Sequence, residues 1–258
     1  MLLKHEEQSG GARDAEGGRL LSFSSPFAVR EAYVKLRTNL MFCVNAKGDP
    51  CTTFVLTSPN PSEGKSLTAA NIAISLAMLG KKTLLIDADM RKPKQRKLWS
   101  VHSDSTGLCY YIANIGPLGL RTVSSIPLDI AFCGAIPPNP SELLSSTRMK
   151  RFLESARSLY GYVIVDTAPI NTVADAQILS SMVDGVVLVA RSEKTTTEEL
   201  SLAVDAVTHA GGNLCGVVVN DLEMKVGKYS YQYKYVENNG KGGSYGYGYG
   251  YSSRRPQQ

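Results

Sequence analysis

The sequence predicts an α/β fold, a mostly parallel sheet sandwiched by helices, and three patterns lead to it. Short apolar runs, often β-branched, at 54–57, 83–86, 130–133, 163–165, 186–190 and 217–219 alternate with helical stretches at 67–79, 142–159 and 196–210. Strands that are apolar along their whole length are buried on both faces, which is the condition of a parallel sheet between helix layers. The polar motifs fall just after these runs, and ligands in open α/β sheets bind beyond the carboxyl ends of the strands. Finally, 258 residues with 43% hydrophobic content are enough to bury one sizeable core.

Taken from the start, residues 1–25 are polar and Gly-rich and read as a flexible arm, with order expected near Pro26. From about 27 to 42, Ala28, Ala32, Leu36 and Leu40 recur at helical spacing, so an amphipathic helix precedes the main domain, which is expected to span 26–223. The run 54–57 leads into Ser58-Pro59-Asn60-Pro61-Ser62-Glu63-Gly64-Lys65-Ser66, and a helix begins at Leu67. A loop in this setting aims the backbone amides of Asn60 to Leu67 and a helix N-terminus at a polyphosphate. Lys65 reaches the outer phosphates and the Ser66 hydroxyl ligates Mg²⁺. This is the phosphate loop of an NTPase, with Pro59 in place of the first Gly and Ser62 where a second Gly often sits.

The run 83–86 ends in Asp87-Ala88-Asp89. Residues i and i+2 of an extended segment project to one side, so the two carboxylates can share Mg²⁺ and orient or deprotonate a hydroxyl. Behind them Arg91 to Lys97 form a basic run, read either as a solvated helix face or as a surface for an acidic partner. Pro137 to Glu142 reads as a rigid turn before a Ser-capped helix. The run 163–165 ends in Asp166, which fits an acid holding Mg²⁺ through water. Arg191 closes the next strand, either reaching the nucleotide or solvated, and Asn220 closes the last.

The end of the chain is of another kind. Eight of its 13 tyrosines (Tyr229, Tyr231, Tyr233, Tyr235, Tyr245, Tyr247, Tyr249 and Tyr251) lie in 224–258, among Gly, Ser, Asn and Lys that build no core. This flexible tail also holds six Lys/Arg against Glu237 alone, so the net charge of +5 resides there and the body is balanced. A neutral body argues against a nucleic-acid groove, so no nucleic-acid partner is expected. The five cysteines are odd in number and scattered through apolar runs, which suits reduced core residues in a cytoplasmic protein. No run approaches the roughly 20 apolar residues of a membrane span, so a membrane role would come through a partner. Neither an HRD loop nor a DFG motif of eukaryotic-type kinases occurs, and three histidines without suitable spacing leave no hydrolase or zinc site.

Together, GKS after a strand, DADMR at 87–91, DTAP at 166–169, GAIPPNPSELL at 134–144, EAYVKLRTNL at 31–40 and the terminal tyrosines resemble the bacterial protein-tyrosine kinases of capsule and exopolysaccharide synthesis. The likeness runs from about residue 26 to the end, in the form where a stand-alone cytoplasmic kinase is activated by a transmembrane polysaccharide co-polymerase. It implies a P-loop NTPase fold of the deviant Walker type (Walker A, A′ and B), ATP and Mg²⁺ as cofactors, and autophosphorylation of the tail in trans within a homo-oligomeric ring. It further implies a cognate tyrosine phosphatase and recruitment to the inner face of the membrane. Lys65, Asp87 and Asp89 take the catalytic roles, Ser66, Asp87 and Asp166 the metal, and Asn220 matches an adenine-contacting Asn. Which of Asp87 and Asp89 is the base stays open.

Some positions depart from the family pattern. Ala168 stands for a second Pro in DTAP, and Val34 interrupts the oligomerisation motif that Glu31 and Arg37 otherwise supply. Two other readings remain: a partition or division-site ATPase, whose signature lysine is here Asn60, and a non-enzymatic scaffold with a self-associating tail.

Overall fold

The computed structural model describes residues 5–6, 20–101 and 106–222. The tail tyrosines at 229–251 and most of the N-terminal arm lie outside the described residues. Among the described residues the strands are β1 (His5–Glu6), β2 (Thr53–Thr57), β3 (Thr83–Asp87), β4 (Leu120–Val123), β5 (Leu128–Ala131), β6 (Tyr162–Asp166), β7 (Gly185–Arg191) and β8 (Leu214–Asn220). They form one sheet in the order β1-β4-β5-β3-β6-β2-β7-β8, parallel except at β4–β5.

The helices are α1 (Phe27–Met41), α2 (Lys65–Met78), α3 (Gln95–Leu98), α4 (Leu108–Ile112), α5 (Pro140–Ser145), α6 (Thr147–Leu159), α7 (Asp175–Ser180) and α8 (Thr197–His209). Successive strand residues point to opposite faces, and here both faces are covered. Phe54, Leu56, Leu85 and Ile164 join the core beneath α1 and α2. Val55, Leu84, Ile86 and Val163 join the core beneath α4, α6, α7 and α8. Central strands buried residue by residue are the physical reason that the apolar runs are continuous.

Several expectations are corrected in detail. Order reaches back to Leu20: Leu20 and Leu21 are buried, and the Leu21 amide donates to Asn71 Oδ1 of α2 at 2.8 Å, so this end of the expected arm straps down on α2. The strand expected at 130–133 lies two residues earlier, because pairing with β3 ends at Ala131 and the carbonyls of Phe132 and Cys133 accept instead from the amides of Leu108 and Cys109. The single helix expected over 142–159 is two. Ser146 is extended (ψ 150) and caps α6 by accepting from the Met149 amide at 3.2 Å. Ser141 caps nothing, since Asn139 occupies the N-cap position of α5. α1 packs through Tyr33, Leu36 and Leu40, while Ala32 of the expected stripe is exposed. Arg37 donates to the Ser75 carbonyl of α2 at 2.7 Å, so this helix is docked on its own body.

Candidate functional site

The loop 58–64 joins β2 to α2 at the centre of the sheet. Its shape is set by turns that sequence alone disguises. Gly64, the residue before α2, has φ 95, and a Cβ there would overlap the Asn220 side-chain amide, so glycine is obligatory. Ser62 also adopts the left-handed region at φ 67, doing there what a glycine does more cheaply. Glu63 staples the turn: it accepts from the Asn60 amide at 2.8 Å and from the Thr195 hydroxyl. Asn220 closes it by donating to the Glu63 carbonyl at 3.0 Å. The amides of residues 62 to 67 find no acceptor among the described residues, leaving a row of donors at the start of α2. This is an anion cradle.

Opposite the loop stand the three expected acids. Asp87 and Asp166 end adjacent parallel strands and are register partners. Asp89 lies just past β3, with Oδ2 at 3.0 Å from the Lys65 amine and Oδ1 accepting the Lys92 amide at 3.0 Å. All four charged groups are buried: Asp87 and Asp166 are 0% exposed, Asp89 2% and Lys65 5%. Gln95, also 0% exposed, ties them together. Its backbone amide donates to Asp87 Oδ2 at 3.0 Å, and its side-chain Nε2 donates to Asp166 Oδ2 and to the Ser66 carbonyl, each at 2.9 Å.

Burial, then the charge of Asp166, pushes the Asp87 carboxyl well above the usual range. Burial raises Asp166 as well, against the opposing pull of Lys65. Burial alone would lower Lys65, but Asp166, Asp89 and Asp87 outweigh it and hold the ammonium charged.

Among the described residues three buried side-chain oxygens lack any hydrogen-bond partner: Ser66 Oγ, Asp87 Oδ1 and Asp166 Oδ1. Buried polar atoms are seldom left so, and hard oxygen donors in a net negative site fit Mg²⁺. Among the described residues no group of three or more His, Cys, Asp and Glu side chains could cage a metal unaided. A hydroxyl with one or two carboxylate oxygens instead leaves coordination positions for water and substrate phosphate, the usual way Mg²⁺ is bound.

The sequence-predicted residues are thus brought together with few exceptions. Arg191 is held by Asp221 (2.6 Å) and reaches the Ser62 carbonyl at 3.5 Å, so it buttresses the loop from outside. Glu31 and Arg37 lie on α1, which packs against α2, where Arg37 bonds the Ser75 carbonyl. In the basic run, Arg91 forks onto the fully buried Asp175 (2.7 and 3.1 Å) and bonds Ser141 Oγ at 3.0 Å, while Lys92, Lys94 and Lys97 are exposed. Sequence reasoning missed Gln95, Thr195, Asp175 and Ser141. Gln95 sits among five cations, and nothing in its neighbours shows that it alone turns inward.

The family of CobQ/CobB/MinD/ParA nucleotide-binding domains matches residues 54–227. The tyrosine-protein kinase YwqD of Bacillus subtilis is 40% identical over 202 residues, covering 78% of this chain and 83% of that one. The tyrosine-protein kinase CpsD of Streptococcus pneumoniae is 35% identical over 201 residues, 77% and 87% of the two chains. Among solved structures, the chimerical protein CapA2B2 superposes with a TM-score of 0.71 at 35% identity, over 77% of this chain and 86% of that one. The kinase domain of the Escherichia coli tyrosine kinase ETK gives 0.71 at 32% identity, over 85% and 80%. The Aquifex aeolicus MinC:MinD complex, at 22% identity and 0.55, shares the fold alone.

Proposed function

The chain belongs to the bacterial tyrosine-protein kinases within the CobQ/CobB/MinD/ParA nucleotide-binding family, and from that premise we propose that it transfers the γ-phosphoryl group of ATP to tyrosines of its own C-terminal cluster. The acceptor tail is that of another copy, in a homo-oligomer. The observation that carries the reading is the set of three unpartnered buried oxygens beside Lys65, facing a loop of free amides. A switch ATPase of the partition type shares that set. The tyrosine kinase is favoured over it because Asn60 stands at the signature-lysine position and because eight tyrosines follow the domain.

In this reading the loop amides and Lys65 hold the β- and γ-phosphates, which requires Lys65 to leave Asp89. Ser66, Asp87 and Asp166 would hold Mg²⁺, which would supply charge neutralisation for the transferring phosphoryl group. A phenol with pKa of about 10 arrives protonated and needs an acceptor for its proton. With Asp87 Oδ1 turned to the ion and Oδ2 held by the Gln95 amide, the acceptor is Asp89, whose Oδ2 is released once Lys65 has turned away. Asn220, which donates to the Glu63 carbonyl at the rim of the loop, would contact the adenine.

Among the described residues no helix is long and apolar enough to cross a membrane. The proposal therefore includes a transmembrane polysaccharide co-polymerase as activator and membrane anchor, with a phosphatase resetting the tail. Capsule or exopolysaccharide export is the process regulated.

The test is incubation of the protein with Mg-ATP, with and without the activator's cytoplasmic segment, followed by mass mapping of modified residues. Phosphotyrosine in 229–251 that falls at least a hundredfold in Lys65→Met supports the kinase. ATP hydrolysis with every tyrosine unmodified refutes it in favour of the switch ATPase.

A further inference from the structure

Gln95 is the most connected side chain of the site, although no step of the proposed transfer uses it. Its carboxamide has two ends with separate tasks. Nε2 donates at once to Asp166 Oδ2 and the Ser66 carbonyl, both at 2.9 Å. Oε1 accepts from the indole Nε1 of Trp99 at 3.2 Å, one helical turn along α3. Its own backbone amide meanwhile holds Asp87 Oδ2 at 3.0 Å. Each of these bonds occupies the atom that must not face the metal. Asp166 and Asp87 are left with Oδ1 free, and Ser66 with Oγ free, and these are the three unpartnered oxygens.

We propose that Gln95 is a positioning residue for Mg²⁺, fixing Ser66, Asp87 and Asp166 with one oxygen each turned to the ion, and that Trp99 fixes Gln95. The inference rests on the reading of this site as a Mg-nucleotide site, but not on what the phosphoryl group is transferred to. An amide is suited to the task because it donates to a carboxylate and accepts from an indole in one plane. A Trp99–Gln95 bond also orients the amide, since an inverted carboxamide would set its oxygen against Asp166. Residues that hold metal ligands in this way typically change metal affinity about 10- to 100-fold when removed. The loop amides and Lys65 make no bond to Gln95, so nucleotide binding without metal should not depend on it.

The experiment uses the full chain loaded with a non-hydrolysable ATP analogue and titrated with Mn²⁺, read by electron paramagnetic resonance. Gln95→Met keeps the length without either polar end, and is expected to weaken Mn²⁺ at least tenfold. In EDTA its affinity for the analogue should stay within about twofold of wild type. Because Trp99 is the chain's one tryptophan, its emission gives a second signature. Wild type should change emission when metal joins the nucleotide complex, and Gln95→Met at equal metal occupancy should not. Gln95→Glu, the near-isostere lacking the donor, carries the test if the Met variant does not fold, and Trp99→Phe should weaken Mn²⁺ by a smaller factor. Wild-type Mn²⁺ affinity in any folded Gln95 variant overturns the proposal. A protein that binds Mn²⁺ as described yet phosphorylates no tyrosine would sink the kinase reading and leave this one intact.

Discussion

Asp87→Asn should make the metal-free protein more stable while removing its activity. Asp87 and Asp166 are register partners on adjacent parallel strands, both wholly buried. Neighbouring strands lie about 5 Å apart, and two like charges at that separation repel by about 3 kcal/mol at an effective dielectric near 20. Lys65 offsets part of this, and Asn keeps an acceptor for the Gln95 amide, so a net gain of about 1–2 kcal/mol is expected. For a domain of this size that is a rise of roughly 2–8 °C in Tm. The pH dependence fixes the cause. A carboxyl whose folded pKa is raised contributes fully below its unfolded pKa and loses that stability as pH climbs through the folded value. Wild type should therefore lose ground as pH rises above the ordinary carboxylate range, while Asp87→Asn does not. The gap in Tm should be wide at pH 8 and narrow near pH 4. Saturating Mg²⁺ and ADP reverses the order, because a ligand at about 100 times its Kd adds about 2.7 kcal/mol to a protein that can bind it. Calorimetry at two pH values, with and without Mg-ADP, is the assay. A metal-free Asp87→Asn protein that melts below wild type at pH 8 would show that the carboxylate is a structural contact and not a charge awaiting a cation.

Two further outcomes follow from the surroundings of the site. Ser62→Gly should raise Tm by about 2 °C with nucleotide affinity unchanged: relief of a left-handed serine, about 1–2 kcal/mol, exceeds the 0.4–1 kcal/mol lost to a freer unfolded chain. An unchanged or lower Tm would mean that the φ of 67 carries no strain. Asp184→Ala removes an acceptor serving the Thr52 and Thr53 amides at 3.0 and 2.9 Å and an ion pair with Arg157 at 3.1 Å, leaving the foot of β2 undone. It should destabilise by about 3 kcal/mol in denaturant melts, and a loss under 1 kcal/mol would refute that role.

What the sequence revealed and what it hid divide along a physical line. Central strands were legible because burial on both faces leaves only apolar residues, and Lys65, Asp87 and Asp166 were legible because each follows such a run by a fixed step. β4 was not: it is a four-residue strand with one residue buried, and its burial alternates too briefly to stand out from a loop. The break at Ser146 was masked because α5 and α6 are both helical and apolar at compatible spacing. Gln95 and Asp175 were hidden for another reason. Each serves a partner 71 or 84 residues away in the chain, so no local pattern carries the signal.

The charge balance of the site argues for ordered loading. Three buried carboxylates face one ammonium, so the empty pocket is net negative and already strained at Asp87 and Asp166. A nucleotide polyphosphate entering alone takes Lys65 from Asp89 and leaves all three acids uncompensated beside more negative charge. A divalent cation entering with it meets the three free oxygens and removes that penalty. Nucleotide and metal must therefore bind with strong mutual favour, and each must bind poorly without the other. In the proposed transfer the same exchange would uncover Asp89 Oδ2 only in the loaded state, so a carboxylate able to take a phenol proton would appear only when there is a phosphoryl group to transfer.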